Sequence, residues 1–144
     1  MDLSKFTDRA RGFIQAANVI ATREDHQLVM PAHILKALLD DEKGLVSNLI
    51  IRAGGTPLRV KVAVDQAVAK LPKVTGNGQV YLDSKSVKVL AEAEVQAQQA
   101  GDSFVPVERL LLALAVVPSV AKGARGAEAM TPEALGVAVA AIRK

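Results

Sequence analysis

The chain has 144 residues, half of them apolar, with an aromatic share of only 3% and no cysteine. Its +3 charge is dispersed: residues 1–78 carry 11 basic and 8 acidic side chains, and residues 79–144 carry 7 of each. This excludes a disulfide framework, a thiolate nucleophile and a zinc–thiolate site, and with no Trp, one Tyr81 and no Lys/Arg run it argues against a nucleic-acid partner.

Leu, Val, Ile and Ala must fill the core, which predicts an all-α domain. The first residues lack the pattern of a signal peptide. The longest apolar run, Leu110–Val117, has eight residues, far short of the roughly 20 that span a bilayer. No membrane partner and a cytoplasmic location are therefore expected.

Asp2 or Ser4 is placed to cap a first helix with the apolar stripe Phe6, Ala10, Phe13, Ala17 and Ile20. Pro31 opens a second helix, whose buried face is Ile34, Leu35, Leu38 and Leu39, and Gly44 is its expected stop. Val46, Leu49 and Ile50 mark a short third helix before Gly54-Gly55. Thr56-Pro57 starts a fourth, with Val60, Val64, Ala67, Val68 and Leu71, closed by Pro72. Gly76-Asn77-Gly78 then interrupts helical propensity, so residues 73–82 read as a connector.

After the connector the pattern repeats. A shift of 76 aligns Phe6–Leu39 with Leu82–Ala115 without a gap, and seven pairs are identical: 17/93, 19/95, 21/97, 29/105, 35/111, 37/113 and 38/114. The caps Thr56-Pro57 and Thr131-Pro132 recur 75 apart. Shared core positions and shared start signals indicate duplication. The expectation is a pseudo-twofold domain of eight helices: repeat one over 2–72, a connector over 73–82 and repeat two over 83–144. Leu135, Val139 and Ile142 would serve the last helix, and Gly123 and Gly126 would shorten the seventh.

Catalytic chemistry has no foothold in these residues. There is no phosphate-cradling loop, since Gly76-Asn77-Gly78 lacks the following lysine. His26 and His33 lack a nucleophile–base pattern and read as surface or partly packed histidines, with no metal-ligand spacing around them. Asp40-Asp41-Glu42 reads as a solvated helix end and lacks the alternating ligands of a calcium loop. The domain is expected to be non-enzymatic, with no catalytic, metal or cofactor residues.

Two proline- or valine-started segments, Pro31–Leu39 and Val107–Leu114, share the pattern x-x-His/Arg-Ile/Leu-Leu-x-Ala-Leu. With the duplication, they resemble the double Clp repeat at the N-terminus of Clp-family AAA+ chaperones. The connector Leu71–Leu82 and the run Ala100–Leu111 are similar to the disaggregase members of that family. The resemblance covers nearly the whole chain, although Arg109 stands where the first repeat has His33 and the stretch 121–130 carries two glycines.

The resemblance implies a substrate-binding domain of an ATP-dependent disaggregase, receiving unfolded or aggregated polypeptides for threading by an ATPase ring. It also implies a chain that ends just before a linker, near Arg143-Lys144. ATP and Mg²⁺ would belong to the ATPase modules, the parent would be a homohexamer working with a DnaK-type chaperone system, and the isolated domain would be a monomer. By the same resemblance, Thr7, Asp102 and Glu108 form a polar cluster. Beside it, Val87, Leu90 and Val95 are expected to wall a shallow apolar groove between the first helix and the start of repeat two, extended by Phe104 and Leu110. Leu90 and Leu110 also have the spacing of ordinary core residues. Two other readings stay open: an adaptor-docking N-domain of a protease-partnered Clp ATPase, and a free-standing helical scaffold.

Overall fold

The computed structural model describes residues 3–41, 44–74 and 79–116. The expected seventh and eighth helices, the Thr131-Pro132 cap and the glycines at 123 and 126 lie outside these residues.

Helix α1 (Asp8–Arg23) buries Ala10, Ile14, Ala17, Ile20 and Ala21 on one face. Its cap is Thr7, not Asp2 or Ser4: the Oγ1 accepts the Ala10 N–H at 3.1 Å. Phe6, expected inside the helix, stands before it and is 1% exposed. Asp8 in the first turn and Arg23 in the last turn complement the helix dipole. After β1 (Leu28–Val29), Pro31 opens α2 (Pro31–Leu39), which ends at Asp40. Gly44, expected to stop α2, is instead the N-cap of α3 (Leu45–Arg52). Gly54 takes the left-handed φ of 91° that the stop after α3 requires. Thr56 in extended conformation precedes α4 (Pro57–Ala69). Then follow β2 (Tyr81–Leu82), α5 (Ser84–Gln99) and α6 (Val107–Val116).

The 76-residue shift holds in three dimensions. Both α1 and α5 have 16 residues and start 76 apart, with caps Thr7 and Asp83 at matching positions. The two left-handed residues after them, Asp25 (φ 60°) and Gly101 (φ 80°), match as well. The pairing between copies obeys the same rule. Strands β1 and β2 are parallel, with Val29 opposite Leu82, and Phe6 bridges Val105 in parallel. Adding 76 to Phe6 and Val29 gives Leu82 and Val105, so the two pairings are images of each other. Each repeat's leading segment is thus hydrogen-bonded to the other repeat. Tyr81 and Asp83 N–H groups donate to Gln27 and Val29 (3.0 and 3.1 Å), while Thr7 N–H donates to Val105 (3.0 Å). The connector, expected as a plain loop, therefore ends in a strand, with the Tyr81 and Asp83 amides paired to the segment Gln27–Val29.

Helices α2 and α6 form the centre. Seven of the nine α2 residues are buried, and in α6 every residue from Leu110 to Ala115 is buried. A helix apolar on all sides must be enclosed. Helix α1 packs on α2, α5 packs on α6, and α2 touches both α5 and α6. Phe6, Ile34, Leu35, Leu38, Leu49, Ile50, Leu90, Leu110, Leu111 and Leu114 are the largest fully buried side chains of the core. Ion pairs Lys36–Asp65 (2.5 Å) and Lys61–Asp40 (3.5 Å) tie α4 to α2 at the rim.

Candidate functional site

The leading-segment exchange builds the candidate site. Val105 N–H donates to the Lys5 carbonyl at 2.7 Å and its own carbonyl accepts from Thr7, which sets Thr7 alongside the segment 102–108. Asp102 follows the left-handed Gly101, and its N–H reaches back to the Ala97 carbonyl at 2.8 Å. Its carboxylate lies 3.9 Å from Arg109 Nε, an ion-pair separation, with both side chains largely buried. Glu108 sits in the first turn of α6, where negative charge is favoured by the dipole. Beside this cluster a cavity of about 140 Å³ is lined by Lys5, Glu94, Asp102, Ser103, Phe104 and Val105.

Apolar surface is left in water here. Phe104 is 56% exposed, and Val87 and Val95 on α5 are exposed too. With Ala91 between them they form a stripe at four-residue spacing along α5. Leu90 and Leu110, expected as groove residues, are both 0% exposed. They are core: Leu90 shares the inward face of α5 with Val89, Ala93 and Ala97. Periodicity identifies a helix's apolar positions without saying which of them a neighbouring helix covers. Lys5 and Glu94 were not singled out from the sequence, because nothing local signals that they converge on Asp102.

The histidines also differ from expectation. His26 and His33 are buried, with His33 at 0% exposure. His33 Nδ1 accepts the Met30 N–H at 2.9 Å, so its proton is on Nε2, which donates to His26 Nδ1 at 2.9 Å. His26 then carries its proton on Nε2, a buried atom with no hydrogen-bond partner among the described residues. Burial, then the neighbouring His26, hold His33 down to a pKa of about 4, against a smaller opposing effect of Glu24. His26 and His33 match Asp102 and Arg109 under the 76-residue shift. The neutral pair of repeat one thus occupies the place of the ion pair of repeat two.

A second groove, of about 380 Å³, lies on α1. Its lining includes Leu3, Ile14, Asn18, Val19, Val29 and Leu82. Among the described residues no group of three or more His, Cys, Asp or Glu is placed to hold a metal ion. No helix among them is long and apolar enough to cross a membrane. What the two grooves offer is contact: apolar surface with amide and carboxylate groups at the edges.

The fold is thus a duplicated helical domain with exchanged leading segments and exposed apolar grooves. The model of the Clp repeat (R) N-terminal domain matches residues 5–124, and the chain belongs to this family. Chaperone protein ClpB of Rhizobium meliloti is 50% identical over the whole chain, and that of Rhodopseudomonas palustris is 47% identical. The chain spans 17% of the length of each of these relatives. Among solved structures, the Hsp104 N-terminal domain of Candida albicans superposes with a TM-score of 0.86 at 23% identity, covering 97% of this chain and 92% of that one. The N-domain of ClpV from Vibrio cholerae gives 0.81 at 19% identity, covering 97% and 86%. These two likenesses establish the fold.

Proposed function

We propose that this domain receives unfolded or aggregated polypeptide on behalf of an ATP-dependent disaggregase. The observation that carries this reading is exposed apolar surface: Phe104 on the cavity that Asp102 also lines, and Val87 and Val95 along α5. A receptor for unfolded chains must hold apolar area in water until substrate covers it, and monomeric domains otherwise avoid such patches. The identity to ClpB chaperones across the whole chain supports the same reading. In it the domain does no chemistry. ATP and Mg²⁺ are handled by AAA+ modules of a hexameric parent, in the cytoplasm, with a DnaK-type system as collaborator, and the domain alone is a monomer.

Titration of the isotopically labelled domain with a permanently unfolded model protein tests this. Amide shifts are expected around Thr7, Val95, Phe104 and Glu108; shifts confined to other faces would reject the site. Adaptor docking is a second reading, favoured by the like fold of a ClpV N-domain solved in complex with a VipB peptide, at a TM-score of 0.72 and 18% identity. Binding of one defined peptide without affinity for unfolded chains would favour it.

A further inference from the structure

Helix α4 keeps apolar surface in water on the side away from the core. Val60, Val64 and Val68 are its buried residues, whereas Leu58 is 69% exposed and Val62, one turn on, is 49% exposed. Ala69 is exposed too, and at 3.6 residues per turn the three positions fall within about 40° of one another. Ile51, also exposed, ends α3 just before the turn that leads into α4. The two edges of this stripe differ in charge. On one edge Lys61 and Asp65 are already ion-paired to Asp40 and Lys36 of the α2 end. Along the other stand Arg59, Gln66 and Lys70, all exposed, with Arg52 at the end of α3. Residues 51–73 carry five basic side chains and one acidic side chain, Asp65. The shared core does not ask for this face. Under the 75-residue shift that aligns the Thr-Pro caps, Val60 and Val64 become Leu135 and Val139, still apolar, while Leu58 becomes Glu133 and Arg59 becomes Ala134.

We infer that the outer face of α4 docks an amphipathic helix of a partner protein, its apolar side chains on Leu58, Val62 and Ala69 and its carboxylates along the Arg59–Lys70 edge. Charge complementarity selects this occupant. The cationic edge favours acidic groups and repels basic ones, and the opposite edge is neutralised within the domain, so the partner needs acids along one border only. Shape selects a helix. The exposed residues form a straight ridge about 16 Å long, parallel to the α4 axis, and four-residue ridges are what the grooves of a second helix accept. A bilayer surface is a poorer occupant, because binding there scales with buried apolar area and this stripe offers two aliphatic side chains and an alanine, with no aromatic anchor. Helix α4 packs on α2 and α3, apart from the α5 and Phe104 surface offered to unfolded chains. A partner held here leaves that surface open, so the inference goes beyond the substrate-receiving reading.

The probes are two synthetic helical peptides of about 18 residues, long enough for the ridge, with the same Leu and Ala stripe and either Glu or Lys along one border. With the Glu peptide, amide shifts are expected over residues 51–70 and weaken as salt is raised; the Lys peptide leaves these residues unmoved. Leu58→Glu, which gives repeat one the residue that repeat two has there, is expected to lower affinity for the Glu peptide about tenfold through lost apolar contact and added repulsion. Lys70→Glu should lower it about threefold, the scale of one exposed ion pair. Both changes are at exposed positions, and both variants should keep the native circular dichroism. No shift over residues 51–70 from the Glu peptide, equal shifts from both peptides, or shifts confined to residues 94–104 would overturn the inference. So would a response of residues 51–70 to anionic phospholipid vesicles but not to the Glu peptide. Each of these failures leaves the unfolded-chain reading standing, since that reading is checked by an unfolded protein acting at Val95 and Phe104.

Discussion

Acid should loosen this domain through one buried ring. His33 is neutral in the folded state, with its pKa lowered from 6.5 to about 4. A further proton on His33 has only Nδ1 to go to, where it meets the Met30 N–H across a bond of 2.9 Å. That hydrogen bond at the start of α2 is then lost. The unfolded chain binds a proton below pH 6.5 while the folded chain resists until about 4, so the stabilisation is complete above 6.5 and falls away between these values. The interval corresponds to about 3 kcal/mol in full, of which about 2 kcal/mol is gone by pH 5. Urea unfolding from pH 8 to pH 5 reads this directly, and the upper half of that window avoids carboxylate titration. His33→Asn keeps an acceptor for Met30 and removes the titrating ring; it should be less stable at pH 8 and nearly flat across the window. A native domain whose stability changes by less than about 0.5 kcal/mol from pH 8 to 5, or a His33→Asn slope as steep as the native one, would refute the reasoning.

Other substitutions probe the duplication itself. Gly101→Ala should cost about 1 kcal/mol from backbone conformation alone, since φ is +80° and an added Cβ meets nothing within 4 Å. Asp25→Gly at the matching position should stay within about 0.5 kcal/mol of native, because aspartate tolerates that region. Equal urea midpoints for native and Gly101→Ala would contradict this. Ser86→Ala removes a buried 2.6 Å hydrogen bond to the Val29 carbonyl and should cost about 1 kcal/mol. It should also speed hydrogen exchange at Tyr81 and Asp83, whose amides hold the strand pair. Thr7→Ala should cost about 1 kcal/mol by uncapping α1. Leu38→Ala, at 0% exposure, should cost 2–5 kcal/mol, roughly, through the cavity it leaves; thermal melts order the two.

Which parts of this were legible beforehand follows from the range of each interaction. Ile34, Leu35 and Leu38 announce their helix and its buried face by spacing, and Pro31 and Pro57 announce where helices start, because these are effects of neighbours three or four residues apart. The boundary errors are of the same local kind. Thr7 and not Ser4 caps α1, since Phe6 is drawn out of the helix by Val105, a partner 99 residues away. Nothing near Phe6 could signal that.

The chain's own order of residues determines that there are two copies of one helical unit, because both inherit the same periodicity, the same turn positions and the same cores. Tertiary structure alone decides that the copies exchange their leading segments, that Leu90 and Leu110 are covered while Val95 and Phe104 are not, and that His26 meets His33. It also sets Lys5 and Glu94 beside Asp102 in one cavity. Burial and long-range pairing are properties of the packed assembly, and a periodic pattern is indifferent to which of its apolar positions a neighbour happens to cover.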